Sequence, residues 1–186
     1  RSKRPSVGTY EKPKKVVYNQ GKFDNGLKTI YTKTTETPMV TLSINIDGGH
    51  MLEGSKKIPY GTAALMTEMM TEGTQNYTAE EWSKEMQGFR GNIWSNAGNT
   101  GFSIGMTCHK DDVDKGVKYL EEFMMSPNFS PESFKRTKKI VMNSLASQRK
   151  NNGAVAGRVF QRLMYGDNPL GIPAIGTSES MDKVSL

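Results

Sequence analysis

Two histidines, one cysteine and a pair of carboxylates one helical turn apart are the groups in this sequence best suited to chemistry: His50, His109, Cys108, Glu68 and Glu72. Imidazole, thiolate and carboxylate are the ligands of a zinc site, which needs three or four of them converging on one point. A thiol beside an imidazole is also the material of a nucleophile–base pair. Neither arrangement is met. His50 and His109 lie far apart in the chain, neither has an acidic pair at ligand spacing, and His50 reads as a polar residue at the end of a strand. Cys108 and His109 are neighbours on an extended segment, so their side chains point to opposite faces. Glu68 and Glu72 are like charges on one helix face and read as solvated. The single cysteine excludes an internal disulfide and a cysteine-cluster metal site, and it reads as a small core residue. Met66, Met69, Met70, Met124 and Met125 read as core filler, and Gly98-Asn99-Thr100-Gly101 does not match a phosphate loop.

The elements that must position these groups follow from periodicity and punctuation. Asn25-Gly26, between Phe23 and Leu27, marks a hairpin, and Leu27, Thr29 and Tyr31 alternate with polar or opposite-facing neighbours. A cleaner strand runs through Val40, Leu42, Ile44 and Ile46 and stops at Gly48-Gly49. Helical spacing then places Ala63, Met66, Met69 and Met70 on one face of a segment from Gly61 to Glu72, ended by Gly73. Thr78-x-x-Glu81 is a capping box that opens a second helix. Residues 91–107 read as two strands joined at Gly98-Asn99, with Phe102, Ile104 and Met106 facing one way. Asp111 or Asp112 opens a third helix whose apolar face is Val113, Val117, Leu120 and Met124. Ser130-Pro131 opens a long one with Phe134, Val141 and Leu145 on one face, and a further helix spans about Val155–Tyr165. The Gly- and Pro-rich stretch after Gly166 reads as irregular, and Lys183–Leu186 as the start of another helix. The order of strands, helices, strands and helices predicts an α+β fold, an antiparallel sheet with helices packed on it.

The segment from Gly61 to Thr74 resembles the zinc-binding helix of the insulinase/pitrilysin family of metallopeptidases, which reads Gly-x-x-His-x-x-Glu-His-x-x-x-x-Gly-Thr. Gly61 and Gly73-Thr74 stand at matching positions. Asn25-Gly26-Leu27, Pro38, Gly48-Gly49 and Glu53 upstream, and Pro127, Phe129, Phe134, Arg136, Gly166, Pro169 and Gly171 downstream, are similar to that family's landmarks in the same order. In the motif, two histidines four apart ligate zinc, the glutamate between them is the general base, and a second glutamate on a later helix completes the site. The matching positions here are Ala64 for the first histidine, Thr67 for the catalytic glutamate, Glu68 for the second histidine and Ser144 for the distal glutamate. None of the four functional groups is present, so the chain is expected to hold no zinc and to have no catalytic residue of its own.

The resemblance implies the first domain of a silent half in a zinc-dependent metalloendopeptidase, shaping a peptide-binding chamber opposite a catalytic half that holds the zinc. That half would lie on the same protein or on a partner subunit, and the location implied is the periplasm of a bacterium. A second reading is a structural subunit like the respiratory-complex core proteins, which resemble this family and have also lost the motif. An active hydrolase with an unrelated site finds no triad or metal cluster to support it.

Composition bounds the rest. The net charge of +6 invites a nucleic-acid reading, but Arg1, Lys3, Arg4, Lys12, Lys14 and Lys15 all fall in the first fifteen residues. The remainder is nearly neutral, which argues against a phosphate-binding face. Residues 1–15, with Pro5 and Pro13, read as a linker or tail, and 16–186 as a single domain that the helix start at Lys183 suggests is truncated. No apolar run is long enough to span a membrane, and no charged-then-apolar leader of a signal peptide opens the chain. An exposed sheet edge would make a homo-oligomer of the fragment one expected partner state.

Overall fold

Gly26 takes a positive φ of 90° and Asn25 Oδ1 accepts from the Leu27 N–H at 3.0 Å, so the chain reverses where Asn-Gly predicts. Strands β1 (Asn19–Lys22) and β2 (Lys28–Tyr31) flank the turn and pair antiparallel, Asn19 opposite Tyr31 and Lys22 opposite Lys28. This computed structural model describes Gly8, residues 15–34 and residues 36–186. Apart from Gly8 and Lys15, the basic stretch 1–15 lies outside the described residues. Contacts divide the chain between Pro38 and Met39, whereas the sequence reads as one domain over 16–186. The hairpin's hydrogen bonds close on themselves in a two-stranded sheet, which makes it a unit of its own.

The second unit is built on a three-stranded antiparallel sheet in the order β3 (Met39–Asp47), β5 (Gly101–His109), β4 (Gly91–Ala97). The central strand decides which face is covered. Phe102, Ile104, Met106 and Cys108 alternate along β5 and are all buried, as period-two spacing requires. Burial pushes the Cys108 thiol above its ordinary pKa, which keeps it an un-ionised core residue. His109, on the opposite face, is half-buried and its Nδ1 accepts from the Asp111 N–H at 3.4 Å.

Helices α3 (Ala79–Gly88) and α4 (Val113–Met125) contribute the aromatic layer over that face. The capping box at Thr78 and Glu81 is complete in both directions. Trp82 stacks on Phe123 with centroids 6.2 Å apart, and Tyr119 meets Trp82 and Phe89 edge-on at 5.7 and 5.4 Å. The face of α4 differs from the expected one: Val117 is 43% exposed, and the buried positions are Gly116, Tyr119, Leu120 and Phe123. Two aromatic rings remove more apolar surface than valines do, and the bare Gly116 lets the helix reach the Met106 sulfur.

Helix α2 (Thr62–Met70) stands between two cores. Met70 joins the aromatic layer, while Leu65 and Met69 pack with Val141 and Leu145 of α5 (Pro131–Gln148) and with Met181 and Val184. Two short helices escape periodicity. Helix α1 (His50–Ser55) begins where the sequence reads as a strand end, and α7 (Ser178–Asp182) lies in the stretch read as irregular. With six and five residues, neither is long enough to repeat a pattern. Lys183 is the C-cap of α7, and Val184 folds into the core with Leu65 and Met69. Helix α6 (Asn152–Tyr165) buries no residue and points Val159, Phe160, Leu163 and Met164 to solvent. Among the described residues no helix is long and apolar enough to cross a membrane.

Candidate functional site

Positions three and four apart on a helix share a face, so Ala64, Thr67 and Glu68 come together on α2. They form one wall of a cleft of about 240 Å³, which Asn96 and Ala97 of β4, Val141 of α5, and Ala174 and Ile175 complete. The start of α2 is set against the opposite wall by Gly61. Its φ is +95°, and a Cβ there would stand 2.5 Å from the Ile175 carbonyl oxygen, so only glycine admits this backbone approach.

The fourth expected position does not arrive. Ser144 is absent from the cleft lining, and its Oγ accepts from Gln148 Nε2 at 3.3 Å. Val141, almost one turn earlier, stands there instead. The rotation of α5 is set by burying Val141 and Leu145, at 4% and 1% exposure, and that rotation turns Ser144 aside.

These groups do not fit a zinc ion. Ala64 offers a methyl group. The Thr67 hydroxyl donates to the Ala64 carbonyl at 2.7 Å, within its own helix, and Glu68 is one exposed carboxylate where three or four ligands are needed. Among the described residues no three His, Cys, Asp or Glu side chains are grouped to hold a metal. Glu72, read as solvated, is instead paired with Arg136 and ties the segment just after α2 to α5. Elemental analysis of the purified, dialysed chain is expected to give zinc well below one atom per molecule. Stoichiometric zinc would overturn this reading and call for substitution of His50, His109 and Glu68 in turn.

The residue that sequence reasoning misplaced is His50. It is the first residue of α1, 2% exposed, and its Nδ1 lies 3.0 Å from Glu53 Oε2. Its Nε2 lies 2.8 Å from the Pro169 carbonyl oxygen and 2.9 Å from that of Ile172. Glu53 is 3% exposed and also accepts from the backbone N–H groups of Gly61 at 3.1 Å and Ala63 at 2.7 Å. The signal was present as an i, i+3 His–Glu spacing directly after Gly48-Gly49, but a helix this short hides it.

The fold and the motif scaffold agree with a profile comparison. The profile of the insulinase family (peptidase family M16) matches residues 28–178. The chain belongs to the insulinase family. This insulinase-family domain keeps the glycines that frame the motif, while Ala64, Thr67, Glu68 and Ser144 stand where the family's motif has the side chains that act in it. It is 24% identical over 157 residues to a protein of Helicobacter pylori named non-peptidase homolog YmxG, with 84% of this chain and 36% of that protein covered. It is 21% identical over 164 residues to an uncharacterized zinc protease of Rickettsia felis, covering 88% of this chain and 39% of that one. A crystal structure described as a peptidase M16 inactive domain from Pseudomonas fluorescens superposes with a TM-score of 0.82 at 20% identity, over 92% of this chain and 41% of that chain. The domain thus spans about four-tenths of the length of these relatives.

Proposed function

We propose that this insulinase-family domain is a silent wall of a peptide-binding chamber, facing a catalytic half that holds the zinc. The observation that carries the reading is the cleft at Ala64, Thr67 and Glu68: the scaffold of a zinc helix is kept while Glu68 alone of these three has a side chain suited to binding zinc. A domain kept for the chemistry would need the ligands, and a domain kept for shape needs only the scaffold. β4, which lends Asn96 and Ala97 to the cleft, is hydrogen-bonded to β5 and forms an edge of the described sheet. An extended peptide can add to such an edge through main-chain hydrogen bonds. The catalytic half would be part of the same protein or a partner subunit, and the bacterial periplasm is the compartment this reading favours.

The test is a titration of the isotope-labelled chain with unfolded, carboxymethylated casein peptides, followed by amide chemical shifts. Shifts concentrated at Ala64, Glu68, Asn96, Ala97 and Ala174 support a peptide-contacting wall. No shift at millimolar peptide, or shifts confined to other surfaces, would refute it and favour a purely structural domain.

A further inference from the structure

The buried His50–Glu53 pair has no part in any chemistry of the cleft, yet its partners lie next in the chain to two of the segments that line it. Consider first where its protons must be. Nε2 of His50 faces two carbonyl oxygens, at 2.8 and 2.9 Å. A bare lone pair there would meet two others, so this nitrogen carries a proton and donates. Nδ1 faces Glu53 Oε2, which also receives the Gly61 N–H, while Oε1 receives the Ala63 N–H. Glu53 already accepts two backbone N–H groups, one on each oxygen, and against an ionised carboxylate Nδ1 would donate as well. With both ring nitrogens donating, the pair would be an imidazolium against a carboxylate inside the domain. The Tyr60 ring covers it at a centroid distance of 5.2 Å.

The partners of this pair have positions that matter. Pro169 and Ile172 bracket the turn Pro169–Gly171, and Ala174 and Ile175 of the cleft wall follow directly. Gly61 and Ala63 open α2, whose next turn presents Ala64, Thr67 and Glu68 to the same cleft. One ion pair thus holds the first turn of one wall with its carboxylate and the approach to the other wall with its imidazolium. The hydrogen bonds are charge-assisted, the stronger class.

We propose that the His50–Glu53 ion pair is a positioning clasp that sets the separation of α2 and the 169–175 segment, and with it the aperture of the cleft. The clasp deepens the cleft reading but does not depend on a peptide entering it, and its test contains none. In the full chain at neutral pH, nuclear magnetic resonance of the labelled His50 ring is expected to show protons on both nitrogens, protected from solvent exchange. The variant His50→Gln is expected to raise amide hydrogen exchange in residues 169–176 and at the start of α2 by about ten- to a hundredfold, as loss of hydrogen bonds to a charged group implies. Exchange in β5 should stay as it is. A ring with a single protonated nitrogen would overturn the proposal, as would unchanged exchange in a folded His50→Gln protein. If that variant fails to fold, the ring spectrum of the unaltered chain decides alone.

Discussion

Replacing Glu53 by Ala is expected to destabilise the domain by about 3–5 kcal/mol, the usual cost of removing one partner of a buried ion pair. The size follows from what the substitution leaves behind. The His50 imidazolium, 2% exposed, would keep its two carbonyl acceptors but lose its counter-charge. The N–H groups of Gly61 and Ala63 would lose their acceptor at the start of α2, where no earlier turn of the helix supplies one. Urea unfolding followed by tryptophan fluorescence measures the loss, and Glu53→Gln, which retains an acceptor oxygen, should lose less. A loss below about 1 kcal/mol for Glu53→Ala, the range of an exposed pair, would show that the carboxylate is not held as described.

Phe123→Ala should cost a similar amount, about 3–5 kcal/mol, for a different reason. Phe123 is 1% exposed and stacks on Trp82 within the layer that α3 and α4 lay over the sheet. Its removal opens a void between a ring, a helix and a strand that cannot close without moving all three. The same measurement on Leu163→Ala provides the contrast: Leu163 is 80% exposed on α6, and its truncation should change stability by no more than about 0.5 kcal/mol. Equal losses for the two variants would mean that α6 is covered in solution.

The two expectations also mark where the sequence was legible. Phe123 lies on a helix whose existence was plain from its periodicity, but whose orientation was not. Val113, Val117, Leu120 and Met124 make an apolar stripe in the sequence, and the structure rotates α4 so that Tyr119 and Phe123 take the interior. Spacing identifies a stripe, while the choice between overlapping stripes depends on which rings find partners across the layer. The same limit explains Ser144. The resemblance put it at the position of the distal glutamate, and the burial of Val141 and Leu145 leaves it out of the cleft lining.

Caps and turns fared better because their causes are local. The hairpin at Asn25-Gly26, the box at Thr78 and Glu81, and the Ser130-Pro131 start of α5 each depend on three or four consecutive residues, and each stands where the sequence placed it. The α+β architecture, with an antiparallel sheet under helices, followed from the order of such signals. The reading of the motif had another source, the resemblance of Gly61–Thr74 to the family's zinc helix, which put a methyl, a hydroxyl and a lone carboxylate at its acting positions on α2.

The His50–Glu53 pair was beyond the reach of this reasoning. His50 meets Pro169 and Ile172 across 119 and 122 residues of chain, and a contact of that range leaves no periodic trace in either segment. By itself, then, the sequence determined the longer elements, their order and the side chains at the motif positions, because each is a property of neighbouring residues or of side-chain identity. Only the tertiary structure decided which faces are buried, that Val141 and not Ser144 completes the cleft, and that the buried His50 and Glu53 link the start of α2 to the 169–172 segment. Those outcomes arise from packing and electrostatics between segments distant in the chain.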